Sequence, residues 1–155
     1  MKILIVSSVQ THPTTSGSGS FIRKYTTLLK EMGHEVYFLH VTYYAFTKKN
    51  KSFTAEGIIG TKNYRRDHYF QYRTSLSSRI IEEIKKAYRK NFSDYYARCD
   101  DHYPYGLAKF VSQLHNTYQF DACVINYYWF TKLFNHIDIE RKALVAHDSF
   151  TYNNV

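Results

Sequence analysis

At 155 residues and 44% hydrophobic, the chain is long enough for one globular core and too apolar for a disordered tail, so it reads as one domain over residues 1–155. A formal charge of +8 implies an acidic counterpart such as a phosphorylated ligand, nucleic acid or an anionic membrane surface, and two cysteines are too few for a secreted disulfide framework. The apolar run Ile3 to Val6 is too short for a signal sequence or a membrane span, and a cytoplasmic setting with Cys123 as a buried free thiol is expected.

Lys2 to Ser7 reads as a central parallel strand, because continuous aliphatic residues without alternation suit a strand buried on both faces. The stretch TTSGSGSFIRKY, Thr14 to Tyr25, then opens a helix whose Phe21, Ile22, Tyr25, Leu28, Leu29 and Met32 form one apolar stripe. Ser20 stands as its N-cap and Gly33 as the left-handed residue that ends it. Val36 to Leu39 is a second buried strand, which completes a βαβ unit with parallel strands.

From Val41 to Leu76 periodicity is weak, and irregular structure around a short strand near Gly57–Gly60 is expected. The chain carries 16 Tyr and 11 Phe, and several meet cations between Lys62 and Arg73. That stretch reads either as half-buried rings or as an aromatic, basic binding surface. Ser77 opens a second helix, with Ile80, Ile81, Ile84 and Tyr88 expected inward and Lys85, Lys86, Arg89 and Lys90 outward. The basic face is either merely solvated or rests on a membrane or other anionic surface. A third helix is expected from Tyr105 to Tyr118, a strand from Phe120 to Asn126, a short helix over Phe130 to Ile137, and a last strand from Lys142 to Ala146. The alternation predicts an α/β class, a Rossmann-like, doubly wound, mainly parallel sheet.

Ligands of such sheets bind beyond the carboxyl ends of the strands, here Ser7 to Ser20, His40 to Tyr44, Asn126 to Trp129 and His147–Asp148. Gly17 and Gly19 permit close backbone approach and positive φ, so that N–H groups around Ser18 and Ser20 can hold a phosphate oxygen. Arg23 and Lys24 lie in the first turn, where the helix dipole disfavours cations unless an anion is near. The stretch is neither a P-loop nor a dinucleotide fingerprint, since no GK[ST] follows and Ile22 stands where a third glycine belongs. His147 can hydrogen-bond a sugar hydroxyl or phosphate, with Asp148 to orient it. Neither Cys99–His102 nor Arg66–His68 has the spacing of a metal site, and no metal is expected.

Taken together, MKILIVSS, the glycines 17 and 19, GHEVYFL (Gly33–Leu39), FDACVINYYWFTKLF (Phe120–Phe134) and ALVAHDSF (Ala143–Phe150) resemble the amino-terminal half of the GT-B glycosyltransferases, in particular the retaining, nucleotide-sugar-dependent family 4. The likeness covers both ends of the chain and little of its middle. It implies an acceptor-side domain that faces a donor-binding second domain, with Gly17, Ser18, Gly19 and Ser20 near the donor diphosphate and His147 near the transferring sugar. It further implies a nucleotide-sugar co-substrate without a cofactor, a glycan or lipid-linked acceptor, and docking at Arg65, Arg66, Tyr69, Arg73 and Tyr127. Gly17-Ser18-Gly19 departs from the family's adjacent glycine pair, and nothing here matches its second domain or the last strands of its first; little turnover is expected of this chain alone. The rival readings are a flavodoxin-like phosphate or nucleotide module and a single-strand nucleic-acid binder.

Overall fold

The computed structural model describes residues 1–11, 16–42, 64, 65, 68–74, 76–92 and 103–146, and the strand expected at Gly57–Gly60 lies outside them. Strand β1 (Lys2–Ser7) leads to helix α1 (Gly17–Glu31) and strand β2 (Glu35–Thr42). Strand β3 (Tyr69–Arg73) and helix α2 (Leu76–Phe92) follow, then helix α3 (Leu107–Tyr118), strand β4 (Ala122–Asn126), a 3-10 helix (Tyr128–Asn135) and strand β5 (Arg141–Val145). The sheet order is β3-β2-β1-β4-β5 and every pairing is parallel. The fold is therefore α/β, a Rossmann-like doubly wound sheet flanked by helices. Among the described strands β1 lies between β2 and β4, the Rossmann order rather than the flavodoxin order, in which β1 adjoins β3.

Residues of β1 and β2 serve two cores because alternate side chains leave opposite faces of the sheet. Ile3, Ile5, Val36 and Phe38 meet Ile22 of α1 on one face. Leu4, Val6, Tyr37, Leu39, Val41, Cys123 and Ile125 meet Leu107, Val111, Phe130 and Leu133 on the other. Each such side chain, fully buried, contributes about 1.5–3 kcal/mol by leaving water. Gly33, at φ +81°, ends α1 as its position foretold.

Several sequence expectations are corrected. The N-cap of α1 is Ser16, not Ser20: its hydroxyl accepts the Gly19 N–H at 3.1 Å, so both glycines lie within the helix's first turn and neither has positive φ. Only part of the α1 stripe is covered, since Ile22 is buried while Phe21, Leu28 and Met32 are exposed. Tyr69 to Arg73 form a strand where irregular structure was expected, with half-buried rings, the Tyr69 ring lying 5.9 Å from Phe38 and 6.0 Å from Tyr64, and with Arg73 exposed.

The orientation of α2 departs from the expected one: Ile81 is turned inward and Lys85, Lys86 and Lys90 outward as expected, but Ile80, Ile84 and Tyr88 face solvent and Arg89 is half-buried. Ile80, Ile84, Tyr88 and Phe92 are 63%, 63%, 64% and 75% exposed, and Ile81, Glu82 and Arg89 are the half-buried positions. Polar anchors decide this: Glu82 accepts the backbone N–H of Tyr105, and the Lys85 ammonium lies 4.7 Å from the centre of the Tyr105 ring.

Candidate functional site

On the α1 face, each strand row turns polar at its carboxyl end. Ile3 and Ile5 are followed by Ser7, Val36 and Phe38 by His40 and Thr42, Tyr69 by Gln71 and Arg73, and Ala122 and Val124 by Asn126. Register aligns them, because Ser7 pairs with His40 and His40 with Gln71. Val6 pairs with Ile125, which sets Asn126 one place on, beside Ser7. Asn126, Ser7, His40 and Gln71 thus make a row across β4, β1, β2 and β3. The opposite face stays apolar to the same edge, with Val6, Val41 and Ile125 buried.

Buried polar groups persist only where they are hydrogen-bonded, and the partners in this row come from the chain above it. The Ser7 hydroxyl donates to the Val9 carbonyl and accepts the Val9 N–H, both at 3.0 Å. His40 Nδ1 lies 3.4 Å from Gln10 Nε2 and 3.4 Å from Thr42 Oγ1. Gln71 Nε2 donates to Thr42 Oγ1 at 3.1 Å, and Arg73 donates to Gln71 Oε1 at 3.2 Å. From α1, the Tyr25 hydroxyl donates to Asn126 Oδ1 at 2.8 Å, while Asn126 Nδ2 reaches the Val6 carbonyl at 3.5 Å.

This network holds the segment after β1, and that segment in turn holds the start of α1. A Cβ on Gly19 would stand 2.8 Å from the Gln10 carbonyl oxygen, closer than Cβ atoms approach, so glycine is needed there for packing. Gly17 differs: it is exposed and a Cβ on it would meet nothing within 4 Å. Ser16 takes two first-turn donors, the Gly19 N–H at its hydroxyl and the Ser20 N–H at its carbonyl. The Gly17 and Ser18 N–H groups complete the positive end of the helix beside the point where the sheet order reverses, between β1 and β4.

Across that point stands Tyr127, a non-glycine residue at φ 70° whose N–H donates to the Val145 carbonyl at 3.0 Å. Burial pushes the His40 imidazole down to about 4, helped by Arg73 and opposed by a hydrogen bond to the Ser8 backbone, so it is neutral at pH 7. Burial raises the Tyr25 hydroxyl well above its usual value against the bond to Asn126, which keeps it a donor. The Cys123 thiol is pushed up to about 12 by burial, with Lys142 opposing, and is no nucleophile at neutral pH.

The structure places the sequence-derived candidates apart. Gly17, Ser18, Gly19, Ser20 and Tyr127 flank the switch point, and Arg73 joins the polar row through Gln71. Arg23 and Lys24 line a shallow groove along α1 together with Ser20, Thr27, Leu28 and Glu31, so of the first-turn candidates only Ser20 is brought to the two cations. Arg65 lies at the opposite, amino edge with Lys30, His34, Glu35 and His68, and Tyr69 is the first residue of β3. Arg66, His147 and Asp148 lie outside the described residues, as does Cys99–His102. Among the described residues no three His, Cys, Asp or Glu side chains converge as metal ligands, and no helix is long and apolar enough to cross a membrane. Of the row, the sequence placed Ser7, His40 and Asn126 at the ligand-binding edge without giving any of them a role, and it missed Gln71 and the Tyr25 hydroxyl that meets Asn126. The available signal was a polar residue that closes each apolar strand at alternating spacing. The chain matches no protein-family model and no curated protein.

Proposed function

We propose that this chain is the acceptor-side domain of a nucleotide-sugar-dependent, retaining glycosyltransferase of GT-B architecture. The observation that carries the reading is the polar row at the carboxyl edge, which fixes the first turn of α1 at the switch point of the sheet. A rigid, exposed helix start suits a diphosphate, because backbone N–H groups and the helix dipole oppose its charge without reorganisation. Gly17 and Ser18 face the diphosphate of the nucleotide-sugar. Tyr127 meets the acceptor, a glycan or a lipid-linked glycan, from the β4 side. His147, two positions beyond the end of β5 in the sequence, serves the transferring sugar with Asp148. The departing diphosphate is stabilised electrostatically, and a second domain supplies most donor contacts. The reaction is assigned to the cytoplasmic side of a membrane, with no cofactor and no nucleic-acid partner.

Calorimetric titration with UDP, GDP, their sugar conjugates and candidate glycans tests this. Acceptor binding together with weak diphosphate binding is expected. Gly17→Asp should weaken the diphosphate about tenfold, since a carboxylate in the first turn competes for the same dipole, without lowering Tm. Silence toward every sugar and nucleotide, or a Gly17→Asp chain that binds UDP as well as the parent, would overturn the reading.

A further inference from the structure

Helix α2 meets the protein through Ile81, Glu82 and Arg89 and turns Ile80, Ile84, Tyr88 and Phe92 to solvent, unlike a helix whose whole apolar stripe serves a core. Ile80, Ile84, Tyr88 and Phe92 recur every four residues, so they form one continuous stripe about 18 Å long. All four are more than half exposed. An apolar patch of that size, on a chain with buried cores of its own, marks a surface that another phase or partner covers.

The charges beside the stripe identify the occupant. Lys85 flanks it on one side and Lys90 on the other, with Lys86 and Arg89 on the remaining arc, against Glu82 and Glu83. Glu82 is turned inward to the Tyr105 N–H, and Glu83, on the same side as Lys90, is the one outward carboxylate among the described α2 residues against the exposed Lys85, Lys86 and Lys90. Toward the body, Lys85 and Arg89 share a cavity of about 260 Å³ with Glu82 and with Lys132 of the segment after β4, so three cations meet one carboxylate there. An apolar centre with basic flanks is unsuited to a second copy of itself, because two such faces would oppose cation to cation. It suits a plane that is apolar beneath and anionic above.

We propose that α2 docks this chain on an anionic bilayer, the Ile80–Phe92 stripe entering the acyl boundary and the flanking lysines meeting lipid phosphates. The geometry is that of an interfacial helix that lies in the membrane plane. The inference stands on α2 alone and does not need the transferase reading.

The test is flotation of the full chain with vesicles of pure phosphatidylcholine and of equal parts phosphatidylcholine and phosphatidylglycerol. Binding is expected on the mixed vesicles, little on the neutral ones, with a steep loss as salt is raised. Lys90→Gln should weaken it about fivefold. Ile80→Asp with Ile84→Asp should abolish it while circular dichroism and Tm stay as in the parent, since these side chains bury little surface in the fold. A Tyr88→Trp reporter should shift to the blue on mixed vesicles only. Failure to bind mixed vesicles, or binding that survives the double aspartate, overturns the proposal. So does a double aspartate that changes Tm or the oligomeric state, for the stripe would then be covered by protein.

Discussion

His40 is a titratable group committed to one protonation state by its place in the fold. Its ring is buried in the polar row, and desolvation holds its pKa near 4 instead of the ordinary 6.5. The unfolded chain therefore takes up this proton first as pH falls. No penalty exists above the unfolded value; it grows as pH drops through the window between the two values and levels off below the folded one. A gap of that size is on the order of 3 kcal/mol of stability. Chemical denaturation across this window should show the parent losing that much more than His40→Gln, which keeps a hydrogen-bonding side chain and cannot titrate. Parallel pH profiles for the two proteins would show that His40 is hydrated or charged in the native state. The same residue shows what sequence conceals. A histidine that closes VYFLH is visible at once, but that it aligns with Ser7 and Gln71 depends on pairing with β3, a five-residue edge strand with no aliphatic residue and no periodic signature.

Elements were legible where local pattern and tertiary demand agree. Four consecutive aliphatics in β1 need burial on both faces, and Gly33 needs a left-handed turn; both stand in the fold as read. The cap of α1 was not legible, because serines at 16, 18 and 20 are equivalent by propensity and the choice rests on Gly19 packing against the distant Gln10 carbonyl. The direction of α2 was equally hidden: a hydrophobic stripe gives an axis, not the side on which the body lies. Gly106 illustrates a junction set by both local and distant demands. It starts α3 at φ +86°, and a Cβ there would lie 2.9 Å from the Tyr72 hydroxyl, which itself donates to the Tyr105 carbonyl. Gly106→Ala should cost about 1–2 kcal/mol in backbone strain alone, with a further contribution from the collision. Tyr72→Phe forfeits about 1 kcal/mol of hydrogen bond but removes the colliding atom. Urea unfolding of the two single variants and the double should therefore be non-additive, with Gly106→Ala less destabilising when it is combined with Tyr72→Phe than when it stands alone. Strict additivity would mean that the Tyr72 ring moves aside at no cost.

At the scale of the molecule, the distribution of burial separates a sheet buried on both faces from a helix with an exposed apolar stripe. β1, β2 and β4 carry side chains buried in two cores, and their backbone groups pair on both edges. Among the described contacts, α2 is attached by Glu82 to Tyr105, by Lys85 over the Tyr105 ring and by the half-buried Ile81 and Arg89, while Ile80, Ile84, Tyr88 and Phe92 stand outside both cores. Local opening requires only the contacts of the opening unit to be lost, so α2 should open far more readily than the sheet. Amide deuterium exchange should rank the central strands slowest and α2 fastest among the helices. The ranking should hold when protein concentration is changed. Protection of α2 equal to that of β1 in the free chain would contradict this picture, because it would require the Ile80–Phe92 stripe to be covered already. Addition of anionic vesicles should slow exchange in α2 and leave β1 unchanged, since docking adds contacts only to the element that is short of them.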